Sequence, residues 1–264
     1  LAPLIRLIAT RLNCTTEFPI VDVVNLTGAN MKSLSVSIIF TLFFASTIWA
    51  QSPNGTDQRK LLRTGQLVLE EMQNSPDHNI PAGLISRAKA IIVFPTMEKV
   101  GFFLGARYGK GFATVRAKDS GKWGAPAFLY TAGGSFGFQF GAEAVDLILL
   151  VMTQRGLEGL LSEKFTLGGD IALAAGPIGR HAEASADIFM QGEIYSYSRS
   201  KGIFGGVSVK GNVITSDIDA NQAYYGKALT AENILISNQA GEIPESGKQF
   251  ITIFNHLAPY KKGN

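Results

Sequence analysis

The spacing of hydrophobic residues changes twice along this chain. From Thr56 or Asp57 to about Gln73, Leu61, Leu62, Gly65, Val68, Leu69 and Met72 recur every three or four residues, with Arg59, Lys60, Arg63, Glu70 and Glu71 between them. That predicts an amphipathic helix, suited either to cover a core or to lie on a membrane. After Pro81 a second short helix through Ala88 leads into the strand Ala90-Ile-Ile-Val-Phe94, closed by Pro95.

Beyond Pro95 the rhythm becomes that of strands. Gly101 to Arg116 mixes aromatic and β-branched residues with closely spaced glycines, and Gly124 to Tyr130 and Gly134 to Met152 continue in the same manner. Phe136, Phe138 and Phe140 alternate with Gly137 and Gln139, which puts three rings on one strand face. The apolar run Asp146-Leu-Ile-Leu-Leu-Val-Met152 suits a strand buried on both sides. A short helix is predicted from Thr153 to Leu161, and strands over Ile171 to Ala175, His181 to Ser185 and Ile188 to Ser198. Gly202 to Asp217 echoes Gly101 to Gly111 and suggests a repeated β unit. Helical spacing returns at Ala220 to Tyr225, capped by Asp217 or Asp219, at Asn233 to Leu235 after Thr230, and at Ser246 to Leu257. The expected fold is α+β and β-dominated: a strongly curved antiparallel sheet or partly closed barrel with helices at both ends. Its 29 glycines, many beside aromatics, allow tight curvature.

The apolar stretch after Met31-Lys32 changes the domain picture. A basic start, a short apolar core and a small residue at Ala50 predict a secretory signal peptide over residues 31–50. Residues 1–30 are then expected to be an upstream or leader segment, 51–56 a turn-rich linker, and 57–264 one domain. Cys14, the sole cysteine, falls in that upstream segment, so the domain has no disulfide or thiolate chemistry. From Gln51 onward there are 21 Lys and Arg against 19 Asp and Glu, because Arg6, Arg11, Lys32, Glu17 and Asp22 all precede it. A near-neutral domain gives no bulk attraction to nucleic acid, so an anionic partner must be met by a local patch.

Candidate chemistry is sparse. Gly133-Gly-Ser135-Phe-Gly137 has the spacing of a serine-hydrolase elbow, with His181 and His256 downstream. Yet Ser135 enters an alternating strand, where a nucleophile elbow requires a turn from strand into helix. Gly105 to Gly111 lacks one residue and the terminal Ser or Thr of a phosphate loop. His78, His181 and His256 show no metal-ligand spacing, and His181 with Glu183 makes a poor site. No cofactor is expected. Asp146 inside an apolar strand needs a partner, either Arg155 or a backbone donor.

Four stretches together resemble the SYLF lipid-binding domain family: Arg87 to Pro95 (RAKAIIVFP), KVGFFLGARYGKG, WGAPAFLYTAGGSFGFQFGAEAVDLILLVM, and SRSKGIFGGVSVKG followed by DANQAYYG. The resemblance runs over roughly Ile80 to Ile236. It implies a non-enzymatic module that binds phospholipid or a membrane surface, often with an amphipathic helix ahead of the β region. With the signal peptide it implies an exported bacterial protein, periplasmic or cell-envelope associated, for which actin is not an expected partner. The candidate headgroup residues are Arg59, Lys60 and Arg63 on the first helix, and Arg87, Lys89, Lys99, Arg107, Lys110, Lys201 and Lys210 beside the family motifs. Two alternatives stand beside this reading: an envelope protein-interaction module without a lipid role, and a hydrolase acting through Ser135.

Overall fold

The computed structural model describes residues 55–75, 79–101, 104–136, 141–162, 165–169, 171–178, 192–200, 203–206 and 211–260. The expected signal peptide and leader, Phe138, Phe140, His78, His181, Glu183, Lys201 and Lys210 lie outside them. Gln51–Asn264 forms one compact unit.

The elements follow as α1 (Thr56–Asn74), α2 (Ala82–Arg87), β1 (Ala90–Gly101), β2 (Leu104–Val115), β3 (Ala127–Phe136), β4 (Gly141–Val151), α3 (Gln154–Leu161), β5 (Phe165–Thr166) and β6 (Leu173–Ala175). After these come β7 (Ile194–Ser200), β8 (Ile203–Gly206), β9 (Val213–Ser216), α4 (Ile218–Tyr225), α5 (Ala231–Leu235) and α6 (Glu245–Leu257). Nine strands pair in the order β5-β9-β3-β2-β1-β4-β7-β6, with β8 on β7. All pairs are antiparallel except β6 with β7, so the curved sheet is mixed. Within it β4 returns beside β1 rather than β3, the 4-1-2-3 order of a Greek key.

The helices flank the curved sheet, as expected, and cover both of its faces. On one face Ile91, Val93, Phe112, Phe128, Ile148 and Leu150 pack under α1, α4 and α6. On the other, Ile92, Phe94, Ala113, Leu147 and Leu149 pack under α3 and α5. Period-two alternation sends consecutive side chains to opposite faces, so β1 and β4 must be apolar throughout to serve both clusters. Leu147 to Val151 are all fully buried, as their unbroken hydrophobic run predicts.

Pro95 does not close β1. The strand runs on to Gly101 through a bulge, where register shifts between Val93 and Glu98 on the β2 side and between Phe94 and Met97 on the β4 side. A proline has no N–H for the ladder and is admitted at such irregularities. Thr96 there takes a left-handed φ of 62°, and its N–H donates to Asp146 Oδ1 at 2.9 Å. β3 ends at Phe136 and β4 begins at Gly141, and the expected shared face of Phe136, Phe138 and Phe140 falls partly on residues outside the described ones. Among the described residues β2 is central in the sheet and β8 is a short strand beside β7, and the expected echo of Gly101 to Gly111 in Gly202 to Asp217 falls partly on residues outside them.

Capping chemistry sets several helix starts. Thr153 Oγ1 accepts from Gly156 N at 3.0 Å, Asp217 Oδ1 accepts from Ala220 N at 3.0 Å, and Thr230 with Asn233 forms a capping box. In α1 the cap is neither Thr56 nor Asp57 but Gly55, with φ 60° and no side-chain bond.

Candidate functional site

The eight basic residues singled out from sequence that lie among the described residues are spread over α1, α2 and its link to β1, and strands β1 and β2. Arg59, Lys60 and Arg63 stand together, exposed, on the outer side of α1. Each α1 residue advances about 100° around the axis, so the three span an arc of about 100°. None of them makes an ion pair among the described residues, although Arg59 donates to Thr56 Oγ1 at 3.0 Å. Arg87 is exposed at the end of α2, and Lys89 is half-buried in the link from α2 to β1. On β2 the alternation separates Arg107 from Lys110: Lys110 shares the face of Phe112, and Arg107 that of Ala113. The Lys110 ammonium lies 3.7 Å from Asp217 Oδ2, at the cap of α4. Lys99 pairs with Arg107 in the β1–β2 ladder.

The apolar face of α1 is already used. Leu62, Gly65, Val68, Leu69 and Met72 are buried, and Leu61 packs against the same cluster. Gly65 sits directly over Phe112, where a Cβ would collide with the ring. Gln66 and Gln73 donate to the carbonyls of Phe250 and Leu257, fastening α1 beside α6. What α1 offers outward is basic near its start, acidic at Glu70 and Glu71, and carries one large exposed apolar side chain, Leu67 at 47%.

The partner of Asp146 is Arg199, not Arg155. Arg199 Nε donates to Asp146 Oδ2 at 2.7 Å, and Arg199 also pairs with Glu71 of α1. Arg155 instead faces Glu193 at 3.7 Å. The expected backbone donor is present as the Thr96 N–H. Burial raises the Asp146 carboxyl above its ordinary value, and the Thr96 hydrogen bond opposes that.

A second arginine escaped the sequence reading. Arg116 is 8% exposed and makes no ion pair among the described residues. Its guanidinium donates to four backbone carbonyls: Ala88 at 3.1 Å, Gly121 at 2.6 Å, Ile85 at 3.2 Å and Ala258 at 3.1 Å. It also lies 4.0 Å from the centre of the Trp123 ring. Desolvation lowers its pKa to about 10, which leaves it cationic at neutral pH.

Ser135 lies within β3, paired with Gly105, so no strand-to-helix elbow is formed there. His256 is exposed on α6. Among the described residues no group of three or more His, Cys, Asp and Glu could hold a metal ion. No helix among them is long and apolar enough to cross a membrane.

A family profile described as Ysc84, Las17-binding protein actin regulator, matches residues 132–257. The SH3 domain-containing YSC84-like protein 1 of rat is 33% identical over 174 residues, 66% of this chain and 49% of the rat protein. LAS seventeen-binding protein 3 of Saccharomyces cerevisiae is 39% identical over 163 residues, covering 60% of this chain and 35% of its own length. This chain belongs to the Ysc84/SYLF family. It spans about half the length of these curated relatives or less.

Two of the motif stretches hold elements of the Ysc84/SYLF chain together. In DANQAYYG, the Asn221 side chain accepts from Phe128 N at 2.8 Å and donates to Leu229 O at 3.0 Å. Tyr225 donates to Pro126 O, and Gly226 closes α4 with φ 73°. Together they lock α4 onto β3. Trp123 of the WGAP motif donates from Nε1 to Ala258 O at 2.7 Å. The profile match begins at residue 132, after Arg59, Lys60 and Arg63.

Proposed function

We propose that this Ysc84/SYLF chain is a non-enzymatic protein that binds anionic phospholipid at a membrane surface through the outer face of α1, in an exported, cell-envelope setting. The observation that carries the reading is the trio Arg59, Lys60 and Arg63, exposed on successive turns and without ion pairs among the described residues. Each base near an anionic bilayer contributes about 1 kcal/mol. Three give about 3 kcal/mol, roughly a hundredfold preference over a neutral surface. Insertion of Leu62, Val68 or Leu69 would require α1 to leave the core, so the contact is electrostatic and salt-sensitive.

Sedimentation with vesicles of phosphatidylcholine, alone or mixed with phosphatidylglycerol, tests this. The protein is expected to pellet with the mixed vesicles only, and the Arg59→Glu, Lys60→Glu, Arg63→Glu triple variant to stay in the supernatant. Pelleting that the triple variant retains would overturn the reading. A second reading, a protein-binding module, is supported by the family description, which names a Las17-binding protein. Crosslinking in the native envelope separates the two: a defined protein adduct from a chain that binds no vesicles supports the second.

A further inference from the structure

On the face of the sheet opposite α1, a cleft of about 410 Å³ opens where β1 begins and β2 ends, walled by α3, the end of α5 and the loop that follows Arg116. Its size falls near the lower end of ligand pockets, roughly 300–1,000 Å³. Leu157, buried against the second core cluster, and half-buried Val115 and Leu235 supply an apolar wall. Ile236 lines the same cleft and is 47% exposed, one of a small set of large apolar side chains left open among the described residues.

Two lysines line this cleft, Lys89 and Lys118. Lys89 is set rigidly: its N–H donates to Val151 O at 2.8 Å and its carbonyl accepts from Arg116 N at 2.8 Å. Its ammonium thus starts from a fixed point between two strands. Neither Lys89 nor Lys118 makes an ion pair among the described residues, and Asp119 is the single carboxylate lining the cleft. Gln154, in the first turn of α3, also lines the cleft, with its Nε2 donating to Glu158 Oε1 at 3.2 Å. A cationic rim over an apolar wall matches a molecule with one anionic end and a short apolar body.

The geometry points to a binding site here for a small amphipathic anion: a phosphate monoester or carboxylate carrying a compact apolar group. The phosphate or carboxylate meets Lys89 and Lys118, and the apolar part covers Ile236 and Leu157. This site is separate from the α1 surface, which belongs to the other face of the sheet.

Calorimetric titration with hexyl phosphate tests the assignment, with hexanol and inorganic phosphate as the apolar and anionic halves. Hexyl phosphate is expected to bind more tightly than either half. The Lys89→Gln, Lys118→Gln double variant is expected to weaken it at least tenfold, with an unchanged unfolding temperature and unchanged sedimentation with anionic vesicles. In a parallel amide-shift experiment on the unaltered protein, hexyl phosphate should move the resonances of Val115 to Asp119, Leu157 and Ile236. Absence of binding, hexanol binding as tightly as hexyl phosphate, or shifts confined to α1 would each overturn the proposal. Loss of vesicle binding by the Arg59, Lys60 and Arg63 variant, with hexyl phosphate binding intact, would show the two sites to be independent.

Discussion

Two arginines fasten helices to the sheet, and they are held by opposite means. Arg116 is enclosed by the carbonyls that end α2 and follow α6, with the Trp123 ring beside it. Arg199 is held by two carboxylates, Asp146 on the neighbouring strand and Glu71 on α1. Carbonyl partners neither titrate nor attract counterions, so the first fastening is indifferent to acid and salt. The second depends on two charges, and the Glu71 side chain is 55% exposed. The ends of α2 and α6 are therefore fixed permanently, whereas the last turn of α1 is tied to the sheet by a bond that the medium can weaken.

The largest expected effect comes from Arg116→Ala. It takes a donor from four carbonyls, of which Ala258 keeps Trp123 Nε1 and Ile85 keeps the Ala88 N–H, strips the buried Ala88 carbonyl at the C-cap of α2, and opens a cavity beneath Trp123. A loss of about 4 kcal/mol or more is expected, by the usual cost of unsatisfied buried groups and cavities. Arg116→Lys keeps the charge but not the planar fork, and should cost about 2 kcal/mol. Urea unfolding midpoints at unchanged slope measure both. A lysine variant as stable as the native chain would show that charge, not the fork, holds this end.

Asp146→Ala comes next, at about 2 kcal/mol, below the usual range for a broken buried pair, because this pair is part-buried and Arg199 keeps Glu71. It also removes the acceptor of Thr96, whose left-handed backbone is then without its hydrogen bond. Amide exchange should quicken at Thr96 and Met97 while Ile91 and Ile92 stay protected. Uniform loss of protection along β1 would instead place the network's effect on the whole sheet.

The contrast between the arginines also explains which parts were legible in advance. Helices and buried strands announce themselves locally: the spacing in α1, the unbroken Leu147 to Val151, and the caps Thr153, Asp217 and Thr230 all follow from neighbours in sequence. Asp146 stood out because a carboxylate in an apolar strand demands compensation. Its partner did not, because Arg199 lies 53 residues away and only the β4–β7 register brings it near. Arg116 gave no signal at all, since its partners are carbonyls, which every residue carries. Pro95 misled for a related reason: a proline closes a strand unless a bulge absorbs it, and this bulge is stabilised by distant Asp146. The basic trio on α1 was legible, but whether the helix's apolar face was free depended on Phe112 beneath Gly65.

Gly65→Leu turns that last contact into a test. Forcing a side chain against Phe112 should destabilise the domain by about 1–3 kcal/mol, the usual cost of overpacking, and push α1 away from the sheet. If α1 acts only through its outer charges, vesicle sedimentation should not rise. Increased pelleting, including with neutral vesicles, would show that the helix works by leaving the core and inserting.

Glu71→Gln is the mildest change and the finest probe of the adjustable fastening. A half-exposed ion pair contributes about 1 kcal/mol at most, so global stability should fall by less than that, and the difference from the native chain should shrink as salt rises. The local effect is larger in proportion: the last turn of α1, Glu70 to Asn74, should exchange its amides up to about fivefold faster at low salt, since about 1 kcal/mol corresponds to that ratio. High salt should bring the native chain to the same rate. Arg116 variants should show no such dependence, because the carbonyls around that arginine carry no charge to screen. Should the Glu71 variant instead match the native exchange rate at every salt concentration, the carboxylate tie would carry no weight, and the packing of Met72 and Leu69 alone would seat the end of the helix.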